Sequence, residues 1–393
     1  MNLFSNIKKI LRFARIYGIK RTVVKALGRL RYSFVKYPSL IPRERNISII
    51  GSGQFMFSTI AYYITTLKGN HFLDCYDLEL NNAQTLHNFY SFKRVVTTPD
   101  QVFQNPKVKT IYIASNHATH TPYAVQSLRR GLATYIEKPI AVTQDQLIDL
   151  MAHIRKYDGY VFAGYNRPYS KAILELQEIV KNIPNHVPKP FSLTFFISGH
   201  LIKPNHWYRI PEEGTRICGN MGHWLDLTLH IFRWRSLPQW LDITIIYSNL
   251  KELDDNIIIN FTTDLNDLVS ITLTSRSEPY EGINETINFQ YNNIIAKIDD
   301  FRCMDLWIGE NFKRLRYFPK DVGHSRTVMQ PFFDKKMNRD WYEIELSSLL
   351  MLHITDMVRN NTTNSRFIIE NEWNEIIQKV ETRCTQLIAD MDN

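Results

Sequence analysis

Apolar residues follow two alternating patterns between residues 46 and 166. Short, almost wholly apolar runs such as NISII, KTIYI and ATYI have the length and β-branched content of buried strands. Longer segments follow them, such as TQDQLIDLMAHIRKY, in which apolar residues recur every three or four positions as in an amphipathic helix. Strands that alternate with helices predict a doubly wound parallel sheet over residues 46–165.

The pattern changes after residue 166. Segments such as WLDITIIYS, NIIINFTTD and LVSITLTSR alternate apolar and polar residues, which is typical of strands with one buried face. Turn residues separate these segments, and two helical patterns close the chain at about 339–358 and 372–391. Residues 166–393 are therefore predicted to form an α+β domain with a large open, mostly antiparallel sheet, and the overall fold class is α/β.

A basic arm, residues 1–45, precedes both domains. It holds twelve Lys or Arg residues and one acid, whereas the whole chain carries a net charge of +8, so the remainder is slightly acidic. Apolar residues at near-helical spacing predict one or two basic amphipathic helices in the arm. Such helices more often pack on their own protein, but they can also lie on an anionic membrane. We expect no nucleic-acid partner, because no nucleic-acid-binding motif accompanies the charge.

The compartment is predicted from the cysteines and the apolar runs. The four cysteines are scattered, and none forms a C-x-x-C pair, so a disulfide framework and a zinc knuckle are both disfavoured. No apolar run has the length of a membrane span, and no signal peptide is recognisable. We therefore expect a cytoplasmic protein, which the arm could bring to the inner face of a membrane.

The stretch IIGSGQFM connects the first predicted strand to the first predicted helix of the domain. It holds the first two glycines of a G-x-G-x-x-G loop, Gly51 and Gly53, while Met56 replaces the third. Such a loop, with the first helical residues Gln54 and Phe55, can bind a pyrophosphate through backbone N–H groups at the helix N-terminus.

An acid after the second strand bears on the identity of the cofactor. Asp77 stands where a carboxylate can hold both ribose hydroxyls of an adenosine and would repel a 2′-phosphate. Asp74 and Glu79 compete for that role. The sequence thus predicts NAD in preference to NADP, and the alternative is a related fold that binds no dinucleotide.

The stretch Glu137-Lys138-Pro139 ends another predicted strand. Open parallel sheets bind ligands at the carboxyl edge of their strands, so a lysine there could exchange a proton with a sugar hydroxyl. The alternative is a surface lysine before a proline that starts a helix. The Lys138–Pro139 bond is a candidate for the cis form, which is nearly confined to bonds that precede proline.

These motifs, with IASNHATHTPYAVQSLRRG and GYNRPYSKAI, resemble the Gfo/Idh/MocA oxidoreductases in order and spacing, from about residue 46 to at least Trp234. The resemblance implies a Rossmann domain that binds NAD(P), a C-terminal domain that holds the substrate, and a dimer or tetramer formed through the open sheet. It implies that Lys138 is catalytic. Helix capping or a surface contact is the alternative role for His120. The implied cofactor contacts are Ser115, Asn116, His120, Glu137, Lys138 and Asn166.

The stretch CGNMGHWLDLTLH resembles the family pattern D-x-x-x-H-x-x-D, whose first Asp and His are partners of the catalytic lysine. His223 and Asp226 match H-x-x-D, whereas Gly219 stands where the family has its first Asp. The resemblance makes His223 a catalytic candidate, and Asn220 could orient a hydroxyl but cannot take a proton. His223, Asp226 and His230 share one helix face, yet they make a poor zinc site, so we expect no metal.

The segment GHLIKPNHWYRIPEEGTRICGNMGHWLDLTLHIF resembles a subgroup associated with bacterial surface-polysaccharide assembly. This implies a sugar substrate, in particular a nucleotide-linked one, and arginines would suit its phosphate or a carboxylate. Ile210, Thr215 and Asn220 replace an Asp, a Gly and a Glu of the subgroup's run. Domain packing is the alternative role for Trp207. The candidate substrate contacts are His206, Trp207, Arg209, Arg216 and Asp226.

The sequence therefore predicts an NAD-dependent sugar dehydrogenase or reductase that moves a hydride between a sugar carbinol carbon and nicotinamide. Lys138 and His223 would share the proton transfer, with Asn220 as an orienting group. Two other functions stay open. The Asp missing at Gly219 would suit a catalytically inactive protein that binds NAD or a sugar in a regulatory or partner role. A redox-neutral NAD-dependent glycosidase would recycle its cofactor.

Overall fold

A computed structural model of the chain describes residues 3–32, 34–39, 43–183, 189–248, 251–277, 282–334 and 338–392. Residues 1, 2, 33 and 40–42 of the predicted arm lie outside this set. The chain divides into two compact units. The parallel-sheet unit comprises Ile19–Tyr165, His324–Asp340 and Ile377–Asn393, and the large-sheet unit comprises Met1–Gly18, Asn166–Gly323 and Trp341–Ile376.

The strands and helices are numbered in chain order. The strands are β1 Ile47–Ile50, β2 Phe72–Tyr76, β3 Arg94–Val95, β4 Thr110–Ile113, β5 Ala133–Ile136, β6 Val161–Ala163, β7 Phe191–Ser198, β8 Trp240–Tyr247, β9 Ile257–Thr263, β10 Leu268–Thr274, β11 Asn284–Tyr291, β12 Ile294–Asp299, β13 Cys303–Ile308, β14 Asn311–Arg316 and β15 Asn364–Ile368. The helices are α1 Leu3–Tyr17, α2 Ile19–Arg29, α3 Ala61–Lys68, α4 Leu80–Tyr90, α5 Asp100–Phe103, α6 His117–Arg129, α7 Gln144–Tyr157, α8 Lys171–Lys181, α9 Gly222–Phe232, α10 His324–Val328, α11 Trp341–Arg359 and α12 Ile369–Asp392.

The parallel-sheet unit contains one six-stranded sheet in the order β3-β2-β1-β4-β5-β6, and every pair in it is parallel. This is the strand order of dinucleotide-binding domains, in which ligands bind beyond the carboxyl ends of the strands. Strands β1 and β2 are buried along their whole length, because helices cover both faces of such a sheet and the strands are correspondingly apolar. The predicted doubly wound sheet is confirmed.

The large-sheet unit is built on nine strands in the order β14-β13-β12-β11-β7-β10-β9-β8-β15. Its pairs are antiparallel except for β7 with β10, which confirms the predicted sheet type. Strand β7 alternates buried and exposed residues, so one face packs on a core. Phe191 on that face contacts Phe232 of α9. The opposite face exposes large apolar side chains, including Phe196, Ile246, Ile295 and Phe312.

The two helices of the predicted arm pack in different units. Helix α1 belongs to the large-sheet unit, where Ile16 is buried and its carbonyl accepts a hydrogen bond from the backbone of Lys320. Helix α2 belongs to the parallel-sheet unit, where Val24 joins the hydrophobic core. Gly28 allows a close approach, because a Cβ there would lie 2.6 Å from the ring of Phe57.

Candidate active site

The glycine loop after β1 has the geometry that a dinucleotide requires. Gly51 has a φ of +88°, and a Cβ on it would lie 2.4 Å from the carbonyl oxygen of Ala114. Only glycine fits this position without strain. A Cβ on Gly53 would have no neighbour within 4 Å, so this part of the backbone is open to a ligand. The residues present therefore fit a pyrophosphate group at this loop.

Of the three acids considered for the ribose, Asp77 lies at the glycine loop. Its carboxylate accepts hydrogen bonds from the backbone N–H of Ser52 at 2.6 Å and from the side chain of Asn82 at 3.2 Å. Asp74 is fully buried and accepts hydrogen bonds from Arg94 and Asn105 instead. Asp77 thus links the carboxyl end of β2 to the loop, and Asp74 stabilises the sheet.

The helix after the loop begins at Gln54 and passes through a π-helical segment, Met56–Ile60, before α3. Such segments are frequent at functional sites. The side-chain amide of Gln54 donates a hydrogen bond to the carbonyl of Lys25 on α2 at 3.1 Å. Phe55 is partly exposed and contacts His324. The side chain of Gln54 therefore holds α2, which leaves its backbone as the part that could bind a cofactor.

The turn after β4 carries the next three predicted contacts. Asn116 is exposed at the N-cap of α6, and the hydroxyl of Ser115 lies 2.7 Å from that of Thr119. The ring nitrogens of His120 lie 2.8 Å from the carbonyl oxygen of Pro139 and 3.1 Å from that of Ser115. Burial lowers the pKa of His120 to about 4. A neutral imidazole carries one N–H, so His120 can donate to only one of these carbonyl oxygens. The buried ring lies between two loops at this edge of the sheet, which is a positioning role.

The stretch Glu137-Lys138-Pro139 follows β5 at the same edge, and the predicted cis bond before Pro139 is confirmed. Glu137 is buried, and burial raises the pKa of its carboxyl to about 7. Tyr135 donates a hydrogen bond to this carboxyl at 2.9 Å, and the backbone N–H of Lys138 lies 3.3 Å from it. A Cβ on Gly164 would lie 2.7 Å from the same carboxyl, so glycine there makes room for it.

In the large-sheet unit, the predicted catalytic helix is α9. A π-helical segment, Ile217–Met221, precedes it and contains Asn220, and His223 is buried in its first turn. Asp226 is fully buried and accepts a hydrogen bond from Ser347 of α11 at 3.0 Å. Asp226 thus joins two helices, and its predicted contact with a substrate stays a prediction.

His230 ends the polar face of this helix. Its Nδ1 lies 2.8 Å from the carboxylate of Glu343, which agrees with a packing role. Among the described residues, no group of three or more His, Cys, Asp or Glu side chains is arranged to hold a metal ion.

A buried charged cluster that was not predicted from the sequence supports α9. Arg167 donates two hydrogen bonds to Glu285, at 2.8 and 2.9 Å, and its guanidinium lies 4.4 Å from the ring centre of Trp224. The indole N–H of Trp224 donates to the same carboxylate at 2.7 Å. Since Trp224 follows His223, this cluster fixes the helix that carries the histidine.

Asn166, a predicted cofactor contact, donates its amide to the carbonyl of Val322.

The two predicted substrate arginines share a carboxylate of their own unit. Arg209 contacts Asp255 at 2.8 Å and Glu252 at 3.0 Å, and Arg216 contacts Asp255 at 2.9 Å. Arg216 is 1% exposed, so its guanidinium has little access to a ligand. These contacts give both side chains a structural role that the predicted phosphate contact did not include.

Two aromatic residues that precede Arg209, namely His206 and Trp207, lie at the protein surface. His206 is exposed and caps a short 3-10 helix by accepting from the backbone of Tyr208 at 3.2 Å. Trp207 is partly exposed and packs edge-on against Tyr208, with 4.4 Å between ring centres. Both remain accessible candidates for a substrate contact.

Comparison with known proteins finds a family model that matches part of the parallel-sheet unit. The Gfo/Idh/MocA model, described as an oxidoreductase family with an NAD-binding Rossmann fold, matches residues 45–165. The inositol 2-dehydrogenase of Gluconacetobacter diazotrophicus is 25% identical over 138 residues, which are 35% of this chain and 41% of that protein. The chain thus matches about two fifths of the length of this curated relative.

The structural likeness extends over more of the chain. A Gfo/Idh/MocA oxidoreductase from Vibrio cholerae superposes with a TM-score of 0.64 and 17% identity, covering 81% of this chain and 99% of that one. Levoglucosan dehydrogenase in complex with NADH gives a TM-score of 0.68 at 12% identity, covering 82% and 99%. At these identities the likeness establishes the fold.

Proposed function

We propose that this chain is an NAD-dependent oxidoreductase of the Gfo/Idh/MocA type that acts on a carbinol carbon of a sugar or polyol, because residues 45–165 match that family's model. The observation that carries the proposal is the glycine loop, where Gly51 packs directly on Ala114 and Gly53 leaves the backbone open. Lys138, beyond the carboxyl end of β5 in the same unit, supports it.

The chain's own residues define how the cofactor would be held. The backbone of the Gly51–Gly53 loop would bind the pyrophosphate, and Asp77 the adenosine ribose. Ser115 and Asn116 would contribute from the turn after β4. A carboxylate at the ribose supports NAD in preference to NADP. When bound, the dinucleotide supplies the acceptor or donor of a hydride.

Lys138 is the proposed proton-transfer residue of the parallel-sheet unit. It would take the proton of the substrate hydroxyl during oxidation and return it during reduction. Glu137 supports this role, because its carboxyl lies close to the lysine backbone and is fixed by Tyr135. In the large-sheet unit, His223 is the corresponding candidate for proton transfer, with Asn220 as a hydrogen-bonding group for a hydroxyl.

The proposed substrate is a polyol or sugar, since the similar proteins include an inositol 2-dehydrogenase and a levoglucosan dehydrogenase. More narrowly, we propose a nucleotide-linked sugar used in surface-glycan assembly. The resemblance of residues 199–232 to that subgroup supports this narrower proposal. The accessible side chains of His206 and Trp207 are the proposed contacts of the sugar.

The test is to incubate the purified full chain with NAD and a panel of myo-inositol, levoglucosan, UDP-sugars and GDP-sugars. A dehydrogenase produces NADH, measured at 340 nm, together with an oxidised sugar. A redox-neutral glycosidase would instead release a sugar without net NADH. If the protein neither binds NADH nor changes any substrate, the proposal is wrong.

The second candidate function is a non-catalytic binding protein. Gly219 stands in place of the family's Asp, and a buried glycine supplies no group for proton transfer. This candidate requires tight NADH binding without turnover on any member of the panel. An active wild-type protein would exclude it.

We also propose that α1 recruits the protein to the inner face of a membrane and that the protein is otherwise cytoplasmic. Ile7, Ile10 and Leu11 are exposed on this basic helix, as in helices that lie on anionic lipid. None of the helices in the described ranges is long and apolar enough to cross a membrane. Replacing Ile10 and Leu11 by Glu should abolish co-sedimentation with phosphatidylserine vesicles, and equal pelleting of both proteins would reject the proposal.

A homo-oligomer formed through the open face of the nine-stranded sheet is proposed as well. Phe196 and Ile246 are more than 45% exposed on that face, and such apolar exposure is typical of an interface. Light scattering should give a dimer or tetramer, and Phe196→Glu should shift it toward the monomer. A monomeric wild-type protein would contradict the proposal.

A further inference from the structure

Helix α2 of the arm packs beside the glycine loop. The side chain of Gln54 donates a hydrogen bond to the carbonyl of Lys25 at 3.1 Å. Gly28 lies so close to Phe57 that a Cβ would meet the ring at 2.6 Å. At the other end of the helix, Arg21 donates to the hydroxyl of Tyr63 at 2.9 Å. The arm is therefore held firmly against the helix that begins at the loop.

Arg31 follows this helix and reaches the loop itself. It lies in the left-handed region with a φ of +50°, and the backbone N–H of Tyr32 bonds back to the carbonyl of Leu27 at 3.0 Å. This turn directs the guanidinium to the carbonyl oxygen of Ser52, to which it donates at 3.0 Å. Ser52 stands between the two glycines, so a residue outside the Rossmann core lies beside the predicted pyrophosphate site.

The charge of Arg31 has little compensation. Burial lowers the pKa of Arg31 below its usual value, and the negative charge of Asp77 opposes this effect. Within the described part of the chain, the guanidinium forms no ion pair with a carboxylate, and its hydrogen bond is to a carbonyl. Counted over the described residues, four of its five N–H groups are available to another acceptor. A partly buried cation that lacks a carboxylate partner among the described residues is well suited to bind an anionic ligand.

We propose that Arg31 is a cofactor-binding residue whose guanidinium contacts a phosphate in the adenosine half of the dinucleotide. The basic arm then completes the cofactor site. This inference rests on the proposed function, because it requires a dinucleotide at the Gly51–Gly53 loop. Two phosphates share the necessary chemistry, namely the pyrophosphate of either cofactor and the 2′-phosphate of NADP.

The test is a fluorescence titration of the full chain with NADH and, separately, with NADPH. Arg31→Ala and Arg31→Gln both remove the charge, and Gln keeps a polar side chain in case Ala fails to fold. Arg31→Lys retains the charge without the planar fork. Arg29→Ala is the matched control, because Arg29 is exposed at the end of the same helix and its loss changes the net charge equally.

Loss of the Arg31 charge should weaken binding roughly tenfold to a hundredfold, as expected for hydrogen bonds to a charged group. Lys at this position should recover part of the affinity, and Arg29→Ala should bind as the wild type does. Equal weakening of both cofactors assigns the contact to the pyrophosphate, and weakening of NADPH alone assigns it to the 2′-phosphate. Unchanged Kd values in folded Arg31 variants overturn the inference alone. A wild-type protein that binds neither cofactor overturns the proposed function with it.

Discussion

The buried carboxyl of Glu137 should make stability depend on pH in a direction unusual for an acid. Burial raises its pKa from 4.5 to about 7, so the folded protein binds a proton that the unfolded chain has released. Its contribution to stability is complete below pH 4.5 and is lost as the pH rises through about 7. At about 1.4 kcal/mol per unit of pKa, this contribution amounts to roughly 3 kcal/mol.

His120 opposes this effect in the same pH range. Burial lowers its pKa from 6.5 to about 4, so its contribution is present above pH 6.5 and is lost as the pH falls toward 4. The unfolding free energy of the wild type therefore has two pH-dependent contributions of similar size and opposite direction. The comparison that isolates Glu137 is the difference in unfolding free energy between the wild type and Glu137→Gln.

The assay is urea unfolding of both proteins at several values between pH 4.5 and 8. Relative to the wild type, Glu137→Gln should become more stable by roughly 3 kcal/mol as the pH rises across this range. Tyr135→Phe removes a hydrogen bond that favours the charged carboxyl, so it should move the inflection to higher pH. A constant difference between wild type and Glu137→Gln at every pH would refute the reasoning.

Two further predictions concern the glycine loop and the buried charged cluster. Gly51→Ala introduces a clash at a positive φ and should lower the free energy of unfolding by roughly 1–3 kcal/mol. Gly53→Ala has space for its methyl group, so it should fold normally while weakening NADH binding. Unfolding curves and NADH titrations check both variants, and equal stability of the two would contradict the geometry. Arg167→Met leaves the buried Glu285 without its cation and should cost roughly 3–5 kcal/mol in urea unfolding. Arg314→Met, which breaks a surface pair, is the control and should change little, so similar losses in both variants would contradict the argument.

Sequence patterns were sufficient for elements whose local pattern and burial agree. Strands β1, β4 and β5 are short apolar runs between amphipathic helices, and both signals predict the same sheet. Strand β3, Arg94–Val95, was not predicted, because two residues carry no periodicity. Strand β15 was not predicted either, because it passes directly into α12 at Ile369 and no turn residue separates the two.

The candidate site was predictable where a motif determines the backbone. Gly51 and the cis bond before Pro139 follow from motifs whose local geometry is narrow. The partners of Arg209 and Arg216 were not predictable, because Asp255 lies 46 and 39 residues further along the chain and only the tertiary fold brings them together.

The cluster around Glu285 left a signal that could have been used. In β11 the inward-facing positions are Glu285, Ile287, Phe289 and Tyr291, so the alternation places a charged residue among core residues. A charge at such a position requires a buried partner. Alternation alone does not say that the partner is Arg167.

The rate of NADH formation by Lys138→Met tests the central claim most directly. The wild type, Lys138→Met and the control Lys107→Met, which alters an exposed lysine of the same unit, would be compared at saturating NAD on the substrate that the panel identifies. We predict that Lys138→Met still binds NADH but loses roughly 10²–10⁴-fold in rate, as expected for removal of a general acid–base group, while Lys107→Met keeps the wild-type rate. A Lys138→Met protein that reduces NAD at the full wild-type rate would contradict it.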